Sequence, residues 1–342
     1  MKNMDKKMTI GFIGLGRMGM NMVLHLLDKG RKQGRKQGRY QEDHQRQQGH
    51  HQVVVYNRHP DKVQKAAKSG AIPTYSLPEL VRQLPKRKII WLMLPAGKPI
   101  DDMVSKLVPL LKKGDVIIDG GNSWFQDSQK RYQQLKKKGI HFLDCGTSGG
   151  ILGARYGACF MVGGDRPVFK QVEPLFQALS VPNGYSYFGK PGAGHFVKMV
   201  HNGIEYGMTG AIDEGIEALK TYEKTFGFDV KEAVKVYAHG SIIESKMMAW
   251  LWQAYAIPGF MKNVSCEVPK GETELDMRKL ERLAPMRILH EARILRRKSR
   301  NKEFCAQAIS AMRNIWGGHA VKRMNESGLM KEPIKLKTTK KT

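Results

Sequence analysis

Gly11-Phe12-Ile13-Gly14-Leu15-Gly16-Arg17-Met18-Gly19, close to the N-terminus, reads as a strand running into a glycine turn and then a helix. The apolar run Ile10 to Ile13 supplies the strand, and the residues after Gly16 open an amphipathic helix. In such a Gly-x-Gly-x-x-Gly turn, Gly14 permits the tight reversal, Gly16 lets the backbone approach a pyrophosphate, and Gly19 lets helix and strand pack closely. Leu15, Arg17 and Met18 complete the loop, which sets phosphates at the helix N-terminus. The motif alone is weak evidence. Directly after an apolar strand and at the head of a helix, it predicts dinucleotide binding.

Outward from this loop, short apolar runs recur between helical patterns: Val53 to Tyr56, Ile89 to Leu94, Val116 to Ile118, and Phe142 to Leu143. Strands alternating with helices predict an α/β N-terminal domain, a Rossmann-type doubly wound parallel sheet. A further strand-like stretch spans Ala158 to Gly163, and from about Lys190 the pattern turns helical. Gly194 to Thr221 is long enough to cross a domain, and helical segments continue to Asn325. The expected organisation is therefore a dinucleotide-binding domain over 1–188, an all-α domain over 189–328 and a basic tail over 329–342. Arg31 to Gln52, with its tandem RKQGRKQG and almost no apolar residue, cannot bury a core and is expected to be a flexible, solvated insertion.

At 342 residues the chain suits two domains, and 41% hydrophobic with 26% charged residues is an ordinary globular balance. No apolar run approaches the roughly 20 residues that cross a bilayer, so no membrane partner is expected. Met1 to Lys7 is basic but leads straight into a strand, unlike a signal peptide, and a cytoplasmic location is expected. Cys145, Cys159, Cys266 and Cys305 show no CxxC spacing and read as free thiols, and no metal cluster is offered. A net charge of +27 favours anions, whether nucleic acid or a phosphorylated metabolite. Without a helix-turn-helix, zinc finger or stacked aromatic motif, no specific nucleic acid is expected, and a basic nucleic-acid-binding protein is kept as an alternative from another class.

The second strand ends in Asn57-Arg58-His59, where an NAD enzyme normally carries an Asp or Glu for the ribose hydroxyls. A carboxylate would repel a 2′-phosphate, whereas Arg58 can pair with one. The reading favours NADP, with NAD as the alternative.

Lys198-Met199-Val200-His201-Asn202-Gly203-Ile204-Glu205-Tyr206 is the most informative stretch. Lys198, His201, Asn202 and Glu205 stand at i, i+3, i+4 and i+7, one face of a helix. Such a stripe is ordinarily a solvated face, but apolar residues flank this one. Its residue types suit a two-stage reaction. Oxidising a secondary alcohol needs a base for the hydroxyl proton, and a lysine amine fills that role once burial or neighbouring charge favours its neutral form. A β-keto acid formed this way loses carbon dioxide readily when the ketone is protonated by the same group. The resulting enediol then needs a separate acid at carbon.

KMVHNGIEYG resembles the catalytic helix of the 6-phosphogluconate dehydrogenase family, as do Asp119-Gly120-Gly121-Asn122-Ser123, Gly146-Thr147-Ser148-Gly149-Gly150 with Gly153-Ala154-Arg155-Tyr156-Gly157, and Trp316-Gly317-Gly318-His319. The resemblance spans about residues 8 to 325 outside the insertion, and the chain is similar to the compact branch of that family. It implies oxidative decarboxylation of 6-phosphogluconate to ribulose 5-phosphate, a step of the pentose phosphate pathway, without a metal. Lys198 would be base then acid, and Glu205 the acid that protonates the enediol. Asn122, His201 and Asn202 would hold the sugar hydroxyls, with Asn122 also near the cofactor. Ser148, Gly149 and Gly150 would meet the carboxylate end, and Tyr206 the phosphate. Arg313 and His319 would be donated across subunits, which implies a homodimer or homotetramer whose helical domain serves both substrate binding and dimerisation. Within Gly240-Ser241-Ile242-Ile243-Glu244-Ser245-Lys246, Glu244 replaces an arginine found in many relatives, so the phosphate charge must come from Lys246 or from the run Arg296-Arg297-Lys298-Ser299-Arg300. A β-hydroxyacid dehydrogenase of the 3-hydroxyisobutyrate type is the nearest alternative. Those enzymes share the glycine loop and the lysine but lack a counterpart of Glu205 in this context.

Overall fold

The computed structural model describes residues 7–28, 51–271, 273–319, 321–322 and 329–330. Most of the expected insertion and nearly all of the basic tail lie outside the described residues. Of the insertion, His51 and Gln52 are described. Gln52 is the first residue of a strand, and His51 is buried, its Nδ1 accepting from the Met8 amide at 3.3 Å.

Eight strands form one sheet: β1 (Thr9–Ile13), β2 (Gln52–Tyr56), β3 (Ile72–Thr74), β4 (Ile89–Leu92), β5 (Val116–Asp119), β6 (His141–Ser148), β7 (Ala158–Gly164) and β8 (Ser180–Gly189). Their order is β3-β2-β1-β4-β5-β6-β7-β8. Neighbouring pairs are parallel except β6 with β7, so the expected parallel sheet carries one antiparallel turn-back at Leu143↔Gly164 through Ser148↔Cys159. The strand order reverses between β1 and β4, the switch point at which open α/β sheets bind ligands beyond their strand ends.

The central strands β1, β2, β4 and β5 are buried on both faces because helices cover both. Alternate residues of these strands divide between two cores. Phe12, Val53, Val55, Trp91 and Ile118 pack with α1 (Arg17–Leu27), α2 (Pro60–Ala67) and α7 (Arg166–Leu179). Ile13, Val54, Ile90, Leu92 and Ile117 pack with α3 (Leu77–Gln83), α4 (Lys98–Leu107) and α5 (Phe125–Lys136). Trp91 is the hub of the first core, with Phe12, Phe160 and Phe176 rings 5.5 to 6.2 Å from it. A short helix, α6 (Gly150–Tyr156), links β6 to β7.

After β8 the chain enters α8 (Ala193–Phe226), a helix of 34 residues. The chain divides into two compact units between Met199 and Val200, inside α8, so the first turns of this helix belong with the sheet. The domain boundary was expected at 188/189, before this division; the helical pattern expected from about Lys190 begins with α8 at Ala193. The second unit continues with α9 (Val230–Tyr237), α10 (Lys246–Ala256), α11 (Phe260–Asn263), α12 (Glu274–Leu283), α13 (Arg287–Arg300) and α14 (Gln307–Gly317). Ile216 of α8, Val234 of α9, Leu251 of α10 and Met312 of α14 share one core, and α14 is buried from Gln307 to Asn314. Beyond α14, Val321–Lys322 pairs antiparallel with Leu329–Met330, where helix to Asn325 was expected.

The cysteine reading is corrected in part. Cys145 and Cys159 are free, but Cys266 and Cys305 form a disulfide. Thirty-nine residues apart in sequence, they meet because the Cys266 carbonyl accepts the Ala306 amide at 3.0 Å, a tertiary pairing that no local spacing reveals.

Candidate active site

The glycine loop leaves the C-terminal end of β1 at the switch point. Its turn is closed by the Gly14 amide donating to the Tyr56 carbonyl and the Met93 amide donating to the Ile13 carbonyl. Gly14 has φ of +101°, which favours glycine, and a Cβ there would fall 2.3 Å from the Met93 carbonyl oxygen. A Cβ on Gly19 would fall 2.0 Å from the Gly14 carbonyl, so the helix rests directly on the loop. Around Gly16, by contrast, there is open space within 4 Å. Gly16 and Arg17 are exposed and Met18 is half-buried, so the outer side of the loop is accessible at the head of α1. This is a cradle a dinucleotide pyrophosphate fits: tight glycines on the protein side and room on the ligand side. Asn57 fastens the loop, its Oδ1 accepting the Leu15 amide at 3.0 Å while its Nδ2 donates to the His59 carbonyl. Arg58 beside it is exposed.

The loop after β5 is set by Asp119, which is fully buried. Its carboxylate accepts from the Gly121 amide and the Ser123 hydroxyl, and Arg131 of α5 neutralises it at 3.4 Å. Asn122 sits half-buried on this braced turn. Thr147 near the end of β6 donates to the Gly120 carbonyl, tying that turn to Ser148, Gly149 and Gly150. Gly149 and Gly150 both have positive φ and open α6.

The start of α8 is held by Asp144 of β6. Its two carboxylate oxygens accept the Gly192 amide at 2.7 Å and the His195 amide at 2.9 Å, an acidic brace at a helix N-terminus. His195, one turn before Lys198, is buried and its Nδ1 lies 2.7 Å from the Ser128 hydroxyl. Lys198 is packed against the sheet. A Cβ on Gly146 would fall 2.3 Å from the Lys198 Cβ, and one on Gly194 would fall 2.3 Å from the Met161 carbonyl. Helix and strand approach this closely only because both positions lack side chains.

Further along α8, the stripe is not a solvated face. Lys198 is 8% exposed and Asn202 is 6% exposed, with His201 and Glu205 half-buried. Tyr206 is buried in the second unit, its hydroxyl 3.1 Å from the Thr273 hydroxyl. Arg296 of α13 stacks on the Tyr206 ring with its guanidinium 3.4 Å from the centroid and donates to Thr209. Arg313 of α14 donates to the Pro269 carbonyl at 2.8 Å, and both its guanidinium and the Tyr206 hydroxyl border Gly271. Burial and the Arg296 charge bring the Arg313 guanidinium down to about 10. Arg313 thus stands beside Tyr206 of its own chain. His319 lies just past α14, its ring against Gly317 and its carbonyl accepting from Asn314.

Glu244 is exposed and closes a turn, its carboxylate accepting the Gly240 amide at 2.7 Å. Lys246 is exposed at the start of α10. Of the two substitutes considered for the arginine that Glu244 replaces, the basic run supplies a buried group, Arg296. Residues that sequence reasoning passed over include Asp144, His195, Thr273 and the brace Asp119–Arg131. Only Asp119 lay within a recognised motif.

A doubly wound sheet with a glycine phosphate loop at its switch point, followed by a helical unit, defines a Rossmann-type NAD(P)-binding oxidoreductase. Residues 9–33 and 43–189 match the NAD binding domain of 6-phosphogluconate dehydrogenase, and residues 194–225 match that family's C-terminal domain. YqeC of Bacillus subtilis is 40% identical over 323 residues, covering 92% of this chain and all of the relative. The NAD(+)-dependent, decarboxylating 6-phosphogluconate dehydrogenase of Haloferax volcanii is 34% identical over 324 residues, 93% of this chain and all of that one. The chain therefore belongs to the 6-phosphogluconate dehydrogenase family. Against longer members it spans less: the match to the decarboxylating enzyme 1 of Saccharomyces cerevisiae covers 67% of this chain and 44% of the yeast protein at 38% identity. Among solved structures, Plasmodium falciparum 6-phosphogluconate dehydrogenase, determined apo, with NADP+ and with 6-phosphogluconate, superposes with a TM-score of 0.71 at 28% identity, over 86% of this chain and 62% of that one. Mycobacterium tuberculosis 3-hydroxyisobutyrate dehydrogenase, at 21% identity and a TM-score of 0.65 over 90% of this chain and 99% of that one, shares the fold. The matched segments leave out residues 34–42, inside the sequence read as an insertion.

Proposed function

We propose that this chain oxidises and decarboxylates 6-phosphogluconate to ribulose 5-phosphate and carbon dioxide, with NADP as the acceptor and NAD as the alternative. The observation that carries the reading is the burial of the α8 stripe: Lys198 and Asn202 are buried one turn apart on the helix face that also carries His201 and Glu205, the residue types the reaction needs. Gly14 to Gly19 hold the dinucleotide, with Asn57 and Arg58 at its ribose. A bound nicotinamide would supply the hydride acceptor for oxidation at the carbon β to the carboxylate. Lys198 takes the proton of the hydroxyl on that carbon and returns a proton to the ketone oxygen as the carboxylate leaves. Glu205 then protonates the enediol at carbon. Asn122, His201 and Asn202 orient the hydroxyls, and Ser148, Gly149 and Gly150 receive the carboxylate. The steps proposed here use no metal.

The phosphate belongs with Tyr206, Thr273, Arg296 and Arg313. Arg296 is 4% exposed and Arg313 is 7% exposed, and no carboxylate among the described residues lies within ion-pair distance of either. Two buried cations with no carboxylate of the described residues at ion-pair distance are costly, and a phosphate dianion is the group that would offset them. Arg296→Met is expected to raise KM for 6-phosphogluconate about 10- to 100-fold, the loss of a charged hydrogen bond. Turnover of unphosphorylated gluconate should be unaffected. An equal loss on both substrates would remove Arg296 from the phosphate site.

The assembly proposed is a homodimer at least. Both Arg313 and His319 were expected to be donated across subunits; Arg313 stands beside Tyr206 of its own chain, and His319 is the residue proposed to reach a neighbouring subunit. The deciding experiment for the function is steady-state assay of 6-phosphogluconate with NADP and with NAD, measuring carbon dioxide as well as reduced cofactor. Arg58→Ala should raise KM for NADP by about tenfold or more, the scale of a lost charge-assisted bond, and leave NAD nearly unchanged. Absence of carbon dioxide with either cofactor would overturn the reading, and equal effects of Arg58→Ala on both would overturn the role of Arg58.

A further inference from the structure

α14 presents a problem that its own sequence does not solve. It is buried from its first residue, yet Ala306 at its N-cap has no side chain to accept the leading amides, and no acidic residue stands in its first turn. A buried helix end without acceptors is strongly disfavoured. The acceptor comes from another helix. Asp213 on α8, 0% exposed, takes the Ile309 amide on Oδ1 at 3.0 Å and also faces the Ala308 amide. Arg313 follows one turn after Ile309 on α14, and Tyr206 precedes Asp213 by two turns on α8. The bond from Asp213 to α14 thus ties together the two helices that carry the phosphate-binding Tyr206 and Arg313.

We propose that Asp213 is a positioning residue for the phosphate end of the site: by capping α14 from α8 it sets the register of the two helices, and so the place of the Arg313 guanidinium beside Tyr206. The proposal rests on the assignment of Arg313 to phosphate made above. It needs no contact between Asp213 and the substrate.

The surroundings of Asp213 give the test a signature. Its Oδ2 has no hydrogen-bond partner. Glu217 and Lys220 lie along α8, Tyr255 approaches from α10 with its own hydroxyl buried and unpartnered, and Gln307 at the head of α14 bonds Lys220 at 3.0 Å. Burial pushes the Asp213 carboxyl up to about 7, the Ile309 amide opposes this, Glu217 adds to it, and Lys220 opposes it. A carboxyl raised in the folded state holds its proton there after the unfolded chain has lost it. Its contribution to stability is therefore full at pH below about 4, declines as pH rises, and is lost above about 7.

Asp213→Asn keeps the acceptor for Ile309 and removes the charge. Its Tm should exceed that of the wild type at pH 8, and the difference should shrink toward pH 5, while KM for 6-phosphogluconate stays within about twofold. Asp213→Ala removes the acceptor. It should raise KM about tenfold, the scale of one lost hydrogen bond to a charged group, with kcat within about threefold and faster hydrogen exchange at Ala308 and Ile309. If the alanine variant does not fold, the asparagine variant still decides, since a tenfold rise in KM on that substitution, which keeps the acceptor, overturns the proposal. An alanine variant with unchanged KM and unchanged exchange overturns it as well. Should the wild type not turn over 6-phosphogluconate, the function falls while this proposal is still decided, by hydrogen exchange and by the affinity for inorganic phosphate.

Discussion

Lys198→Met is expected to abolish both reduced cofactor and carbon dioxide, with a loss of at least the ~10² to 10⁴ that general acid-base catalysis supplies. Both products should vanish together because the lysine is proposed to act first. Without a base for the hydroxyl proton no ketone forms, and without the ketone there is nothing to decarboxylate. Methionine keeps an unbranched stem of similar length, which matters at this position: the Lys198 Cβ lies against a strand glycine, Gly146, where an added methyl would stand 2.3 Å away. The variant should therefore fold and melt near the wild type and still bind 6-phosphogluconate. Stopped-flow absorbance with saturating cofactor, paired with isotope release from 1-¹⁴C substrate, measures both products. A variant that still forms reduced cofactor in the first turnover would mean that another group removes the hydroxyl proton.

The parts of the molecule that the sequence reveals are those written locally. The glycine loop, the stripe on α8 and the strands β1, β2, β4 and β5 are each a periodicity or a spacing within about a dozen residues, and each lies where it was expected. β3 escaped notice because three residues carry no pattern. β8 escaped because it is an edge strand: Val181, Pro182 and Asn183 are exposed, Asn183 has a φ of +58°, and the register with β7 shifts along its length. A strand paired on one side and half-exposed has little apolar signal to show.

The rest depends on which elements meet. Asp144 reads in sequence as the end of an apolar strand, and only the arrival of α8 makes it the brace for Gly192 and His195. Arg296 looked like one charge in a basic run. Its neighbours Arg297 and Lys298 are exposed, while Arg296 turns inward onto Tyr206, and α13's amphipathic repeat alone does not say what that inner face touches. The Cys266–Cys305 bond is of the same kind, made by a loop returning to the start of α14. Glu244 shows the converse. Its place in the sequence suggested a damaged phosphate pocket, whereas the side chain closes its own turn, and the buried charge proposed in its stead is Arg296 of α13.

Glu205→Gln should separate the two halves of the reaction. Glu205 lies seven residues beyond Lys198 on one face of α8, roughly 10 Å along the axis at 1.5 Å per residue. That separation is too long for the two side chains to serve one atom without converging and suits two atoms of a small sugar acid. Assigned only to protonating the enediol, Glu205 has no part in the steps that release reduced cofactor and carbon dioxide. Its glutamine variant is therefore expected to produce close to one equivalent of each in a single turnover at near the wild-type rate. It should then stall, with steady-state turnover lower by ~10² to 10⁴ for the missing acid. Glutamine preserves shape and hydrogen bonding, so substrate affinity should hold. The enediol left on the enzyme makes a second prediction possible: when the stall is quenched in deuterated water, the deuterium taken up at C1 of ribulose 5-phosphate should be spread over both prochiral positions of that methylene, whereas the wild type should place it in one. If Glu205→Gln instead blocks the first hydride transfer as fully as Lys198→Met, with binding intact, the two groups are not dividing the labour. Glu205 would then have to act through Lys198 at the first step, and the protonation of the enediol would belong to another side chain of the α8 stripe.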